Sequence, residues 1–410
     1  MFRFYGWWLV GVCLLIQAVG FGTSLYLYSV LIGAIATEMP GSRTVMMLGV
    51  SGMLFMVGVV SPKVGAYLDR YPIKWVLMGG STVLACGFLL MSLAPSLESV
   101  VALYATLIAA GMAILSPLSC SILLTRWFVR YRGLALGISA LGTQFGGVVF
   151  PPTIAAGVSA FGWRPTVLLL AAFVFVAVPA LVQLFVVEDP KDKGQYADGD
   201  AEKSGADAPK QTPVERLNWR DLLRNPNFMV VVIVITVASI TYSGVLSSMA
   251  LIAQDKSFSM ALGASLVSML SVAGIISSPL LGRVSDLLSV QGTLRLTCAF
   301  AFAAMLLFWL ADNQYGLYAA AVLFGFFGGA VVPIWSASLS RAFASEHFGQ
   351  VLGFSTALVY GCAAFSGPIV GALYDASGSY ASVFLVLAGL IALSALSTIR
   401  LSGAHSANKM

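Results

Sequence analysis

The side chains of this sequence that could hold a solute inside apolar surroundings are amides, phenols and an indole, none of them charged. Gln17 is the one amide in the first long apolar stretch. Phe21, Ser24 and Tyr28 follow it at i+4, i+7 and i+11, which is one face of a helix. Gln144 lies near the middle of another apolar stretch, and Tyr242 and Tyr360 near the middles of two more. Burying an amide in hydrocarbon without a partner costs on the order of several kcal/mol, so Gln17 must face protein or a watery cavity. Two roles fit both amides, a hydrogen bond between helices or a contact to a bound solute. A phenol at mid-stretch combines a large face with a donor, which favours Tyr242 and Tyr360 as solute contacts. Trp335, just after Pro333, suits either a cavity gate or an anchor at a membrane interface.

What must position these residues follows from where the charges are. The chain is 59% hydrophobic and 10% charged, and its 17 acidic and 22 basic residues sit at segment edges or in connections. Runs such as Trp7 to Ile35, Trp75 to Ser96 and Val351 to Tyr374 carry no charge at all. About 20 apolar residues are enough to cross a bilayer's hydrocarbon core as a helix. The expected fold is therefore an all-α polytopic membrane protein of twelve transmembrane helices. The spans run over 7–33, 44–64, 76–94, 99–124, 134–157 and 164–187, then 228–252, 262–281, 295–311, 316–340, 350–373 and 379–399. The first is too long for a signal-peptide core and is expected to be retained.

Composition also excludes classes of function. The net charge of +5 is spent on alternate connections, which speaks for membrane orientation and against a nucleic-acid partner. Two histidines and no clustered acidic ligands argue against a metal site, and nothing implies a cofactor. All five cysteines fall inside apolar segments, where they act as small apolar residues. No nucleophile–base pair or metal-ligand set lies within reach of another, so an enzyme is not expected.

The polar stretch Glu188 to Asn227 divides the chain into two groups of six spans. It reads as a solvated linker between a first half, 1–187, and a second, 228–400, with a tail at 401–410. The halves repeat one another. Gly65-Ala-Tyr-Leu-Asp69-Arg70 follows the second span and Gly282-Arg-Val-Ser-Asp286 the eighth. Arg132-Gly133-Leu-Ala-Leu-Gly137 opens the fifth and Phe348-Gly349-Gln-Val-Leu-Gly353 the eleventh, and Pro152 and Pro368 close those two spans. One offset of about 216–217 residues relates all these pairs. Such repeats are the architecture of transporters that rock two halves about a central site. Basic residues crowd the side that holds the termini and linker, and the other side receives only Arg43, Arg164 and Lys256. Both termini and the linker are therefore expected to be cytoplasmic.

With these elements in place the chain resembles the major facilitator superfamily over both halves. Gly65-Ala-Tyr-Leu-Asp69-Arg70-Tyr-Pro-Ile-Lys74 is similar to that superfamily's G-x-x-x-D-R-x-G-R-[RK] loop, with Pro72 and Ile73 departing from it. Within the superfamily the chain most resembles the monocarboxylate and oxalate/formate transporter branch. Tyr5-Gly6-Trp7-Trp8, Gly41-Ser42-Arg43, Arg126-Trp127-Phe128 with Arg132-Gly133, His347-Phe348-Gly349 and Gly371-Ala-Leu-Tyr-Asp375-Ala-Ser-Gly378-Ser-Tyr380 carry the likeness. In that branch an arginine in the eighth span holds the substrate carboxylate, with an aspartate one helical turn earlier. Here Ser278, beside Pro279, stands at the arginine's place and Gly274 at the aspartate's. A carboxylate substrate would then need neutral donors, and Gln17, Tyr242, Ser278 and Tyr360 are the expected set.

The resemblance implies a secondary transporter for a small organic solute, a monocarboxylate or related metabolite, with protons as a candidate coupling partner. It would work as a monomer in contact with membrane lipid, in a bacterial inner (plasma) membrane. No span centre holds a titratable group, so a proton would travel on the solute or transport would be uncoupled. The alternatives are an exporter of a neutral or mostly apolar metabolite and a non-transporting receptor on the same fold. Antiport is less supported, because Gly142-Thr-Gln-Phe-Gly146-Gly147 lacks the G-P pair of the exporter motif. Asp69 and Asp286 are expected to be gate elements, each capping the positive start of a span in the opposite half or meeting Arg70, Arg130 or Arg132. Solvated loop ion pairs are the competing reading.

Overall fold

The computed structural model describes residues 4–39, 43–199, 219–258, 260–343 and 348–400. Gly41, Ser42, His347, the centre of the linker and the tail 401–410 lie outside the described residues. Among those described, twelve helices are long and apolar enough to cross a membrane. They are α1 (Gly6–Tyr28), α2 (Leu48–Arg70), α3 (Ile73–Ser92), α4 (Leu97–Trp127), α5 (Arg132–Phe161), α6 (Trp163–Phe185), α7 (Pro226–Ser247), α8 (Ser265–Leu287), α9 (Val290–Leu310), α10 (Gln314–Arg341), α11 (Phe348–Ser377) and α12 (Tyr380–Ser397). Each matches an expected span. Two edges differ. Asp69 and Arg70 form the last turn of α2 rather than a loop, and Pro152 lies inside α5, which runs on to Phe161.

Packing repeats between the halves. In the first, α1 packs on α5, α2 on α4 and α3 on α6; in the second, α7 packs on α11, α8 on α10 and α9 on α12. Across the boundary α2 crosses α11 and α5 crosses α8. Both crossings need glycine. A Cβ on Gly65 would collide with the Gly349 carbonyl, and one on Gly282 with the Gly133 carbonyl. Lipid supplies no hydrophobic drive between helices, so backbones close together through van der Waals contact, which small residues permit.

Asp69 to Lys74, Arg126 to Arg132, Asp286 and Arg341 share one end of the bundle, called here the basic face. At the far face each half is stapled. Glu38 accepts from Trp163 Nε1 and Arg164 Nε, while Arg164 donates to the Ala94 carbonyl at 3.0 Å. In the second half Asp255 accepts the Tyr380 N–H at 3.1 Å, and Lys256 Nζ donates to the Ala311 carbonyl at 2.8 Å. Glu38 and Asp255, like Ala94 and Ala311, are related by the repeat.

The start of the linker is not free in solvent as expected. Residues 186–199 form a strap across the basic face of the first half. The Val187 carbonyl accepts Trp127 Nε1 at 3.0 Å, and Glu188 accepts the Lys74 N–H at 3.1 Å and pairs with Arg126 at 3.6 Å. Gln195 Oε1 accepts the Tyr5 N–H at 3.0 Å. Asp198, at φ 59°, accepts the N–H groups of Val129 and Arg130 at 3.0 and 2.6 Å. Each contact satisfies a group left open at or beside a helix end, which a composition-based reading of polarity does not detect.

Candidate functional site

Where the halves meet there is a small cavity. Phe21, Val57, Met112 and Leu118 line it from the first half, Trp335 and Tyr360 from the second. The hydroxyls of Ser116, Ser336 and Thr356 interrupt this apolar wall, and among the described residues no charged side chain lines it. Its volume is about 20 Å³, room for roughly one water molecule. A solute must therefore enter by a movement of the halves. On the side toward the basic face, the Ser121 hydroxyl of α4 donates to the Ser336 hydroxyl of α10 at 3.0 Å, which ties the halves together.

The structure brings Trp335 and Tyr360 together, their rings 6.4 Å apart. The Trp335 indole N–H donates to Ser355 at 3.1 Å, and the side chain is buried in the bundle, so it is no interfacial anchor. Gln17 is 1% exposed and its Oε1 has no hydrogen-bond partner among the described residues. It lies one turn from Phe21, the α1 residue that lines the cavity, and is not itself among the lining residues.

Other expected contacts lie elsewhere. Gln144 and Tyr242 approach one another across the boundary between α5 and α7, and neither is among the residues that line the cavity. Gln144 Nε2 also lies 3.7 Å from where a Cβ of Gly274 would stand, filling space opened by the missing side chain. The Tyr28 ring lies tilted against Tyr104 with centroids 4.5 Å apart and packs inside the first half. Ser278 is a correction. It is buried in the α5–α8 crossing and donates to the Gly137 carbonyl at 2.8 Å, because the helices approach too closely there to leave a cavity.

The two aspartates hold helix starts in the opposite half. Asp69 accepts the N–H groups of Gly349 and Gln350 at 2.8 and 2.7 Å. Asp286 accepts those of Gly133 and Leu134 at 2.7 and 3.0 Å. These are the orphan donors of α11 and α5, and the positive ends of those helices favour the carboxylates. The expected arginine partners need correcting. Asp286 pairs with Arg341 at 3.4 Å and Arg283 at 3.8 Å. Arg70 is exposed and in no ion pair among the described residues, because it points off the last turn of α2 to solvent. The exposed Arg130 lies over the Tyr131 ring. Arg132 spans the boundary by donating to the Ser340 carbonyl at 3.3 Å, while its other nitrogens hold Phe128 and Thr125.

Sequence reasoning missed Arg283 and Arg341 as partners, the Ser121–Ser336 bond and the break in α4. The last had a local signal. Ser116-Pro117 is an N-cap followed by proline at the first helical position.

The family model described as Major Facilitator Superfamily matches residues 12–316. Among curated relatives, the fujikurins efflux protein of Gibberella fujikuroi is 26% identical over 351 residues, which cover 83% of this chain and 70% of that one. Monocarboxylate transporter 13 of Bos taurus is 24% identical over 333 residues, covering 80% and 73%. Among solved structures, the fucose:proton symporter of E. coli superposes with a TM-score of 0.73 at 16% identity, covering 98% of this chain and 100% of that one. At that identity the likeness is one of fold.

Proposed function

Because the chain belongs to the Major Facilitator Superfamily, and so is a membrane carrier of small solutes, we propose that it moves a monocarboxylate or related small metabolite together with a proton by alternating access. The observation that carries this reading is the uncharged cavity between the halves. A bare carboxylate buried there would have no cation to pair with, and burying an unpaired charge is strongly unfavourable. The cavity also holds no carboxylate or histidine to carry a proton, so the proton rides on the solute as the neutral acid. The likeness to a monocarboxylate transporter points the same way. In this reading the membrane is a bacterial inner membrane, the protein acts as a monomer, and the basic face, with both termini and the linker, is cytoplasmic.

The test is uptake of a labelled monocarboxylate into proteoliposomes at constant total concentration. Uptake should rise as the pH falls toward the carboxyl range of about 4, because the neutral fraction rises. Uptake that is independent of pH but driven by membrane potential would mean that the anion crosses. A second reading, export of a mostly apolar neutral metabolite, draws on the likeness to an efflux protein. Thermal stabilisation of the purified protein by bulky apolar solutes alone would favour it.

A further inference from the structure

We infer that Gln17 and the broken turn of α4 form the head-group subsite of the cavity, and that this subsite takes a neutral carboxylic acid. The inference rests on the proposed function and gives it a chemical contact.

The helix of α4 stops at Ile114 and restarts at Pro117, with Leu115 and Ser116 out of helical conformation. The Ser116 hydroxyl donates to the Ala113 carbonyl at 2.7 Å and accepts the Leu118 N–H at 3.2 Å. Ser116, Pro117 and Leu118 line the cavity, so the start of the Pro117–Trp127 helix is part of its wall. Interrupted backbone inside a membrane bundle is tolerated where it lines a cavity, and the start of a helix carries partial positive charge. In that first turn the Ser119 N–H has no acceptor within the helix.

The register of α1 sets Gln17 beside this turn, behind the cavity wall. The flanking faces of α1 are occupied. Leu14 and Ala18 press their carbonyls on Gly142 and Gly146 of α5, and Gly20 meets Leu115 of α4. The Cys13 carbonyl accepts the Cys120 thiol at 3.6 Å. The face left between α4 and α5 carries Gln17 and Phe21, and Phe21 lines the cavity. Along α1, Gln17 falls between the Cys13–Cys120 and Gly20–Leu115 contacts, hence opposite residues 116–119. It is 1% exposed, and its Oε1 has no partner among the described residues. A buried amide left without partners lowers stability, and a ligand that completes its hydrogen bonds recovers that loss.

The amide presents an acceptor, Oε1, beside a donor, Nε2. A neutral carboxylic acid presents the complement, an O–H donor beside a C=O acceptor, and the two pair through two parallel hydrogen bonds. A carboxylate has no donor and would leave Oε1 facing negative charge. The acid's carbonyl has a second lone pair for the start of the Pro117–Trp127 helix, and its apolar body lies toward Phe21, Val57 and Trp335.

The experiment compares butyric acid, butyramide and methyl butyrate by thermal stabilisation of the purified full chain at mildly acidic pH. The amide shares the acid's donor–acceptor pair; the ester lacks the donor. Wild type should be stabilised by acid and amide, with about tenfold more ester needed for the same shift, the worth of roughly one hydrogen bond. Gln17→Leu should erase that preference while melting without ligand no lower than wild type, since it removes a partnerless amide. Gln17→Met is the second variant if Gln17→Leu does not fold. A preference that survives either substitution overturns the subsite, as does an equal loss for all three probes. Acid uptake that is unchanged in Gln17→Leu removes the subsite and leaves the proposed function standing. A Gln17-dependent butyramide preference without any acid uptake does the reverse.

Discussion

The Asp69 carboxylate accepts the Gly349 N–H at 2.8 Å although 280 residues of chain separate them. Asp286 accepts the Gly133 N–H at 2.7 Å in the mirrored arrangement. The end of α2 thus holds the start of α11, and the end of α8 holds the start of α5. Both bonds lie at the basic face and join opposite halves, so that face cannot open while they persist.

Asp69→Asn keeps an acceptor oxygen but removes the charge, and charge-assisted hydrogen bonds are about twice as strong as neutral ones. The population open at the basic face should rise about tenfold, with solute affinity changed less than about threefold. The rate of alkylation of a cysteine introduced at Ser340, added from the basic face, reads the first quantity, and ligand-induced stabilisation the second. A large loss of affinity with an unchanged alkylation rate would falsify the gate.

Ser278→Arg tests the placement of Ser278 in a helix crossing. The guanidinium would be buried against the Gly137 carbonyl with no carboxylate beside it, at a cost of at least about 3–5 kcal/mol. Melting temperature and yield should fall sharply, while Ser278→Ala should cost about 1 kcal/mol. A normally folded Ser278→Arg protein with tighter monocarboxylate binding would instead put this residue in the solute site.

Hydrogen bonds from Arg164 and then Trp163 hold the Glu38 carboxyl below the usual carboxylate range. A value lowered on folding contributes stability above the unfolded-state value, near 4.3 for glutamate, and loses it as the pH falls through the folded one. Wild type should therefore melt slightly above Glu38→Gln at neutral pH, with the gap closing in acid. Glu38 is exposed, so the gap should also shrink in high salt. A gap that widens as the pH falls would reverse the sign of the contact.

Sidedness is open to a reporter test. A reporter fused after Lys210 should be cytoplasmic and one after Lys256 external, because the basic residues bias orientation. The opposite result would invert the assignment of the basic face.

The twelve spans were legible because each is a long, mostly apolar run with any charge near its ends, and the repeat was legible because Gly65, Gly133, Gly282 and Gly349 mark the two crossings. The capping of helix starts by Asp69 and Asp286 also followed from their position at the ends of spans. Side-chain direction was less legible. Ser278 and Tyr360 are both polar residues within spans, yet one is sealed in a crossing and the other lines the cavity. That difference depends on how closely two distant helices approach, which no local pattern encodes. Arg341 and Arg283 were missed for the same reason, since their carboxylate lies between two helix ends.

The strap 186–199 has a consequence for how the chain is made. Tyr5, Lys74, Arg126, Trp127, Val129 and Arg130, its partners, all precede it in the sequence. It leaves the ribosome directly after α6 and before α7 does. The first six helices can therefore be clasped shut while the remaining six are still being translated, and the exposed amides of the α4–α5 turn are covered during that interval. A chain ended after residue 199 should resist proteolysis at that turn better than one ended after Phe185. The polar segment then acts first as the finishing seam of a nascent folding unit and only later as a tether.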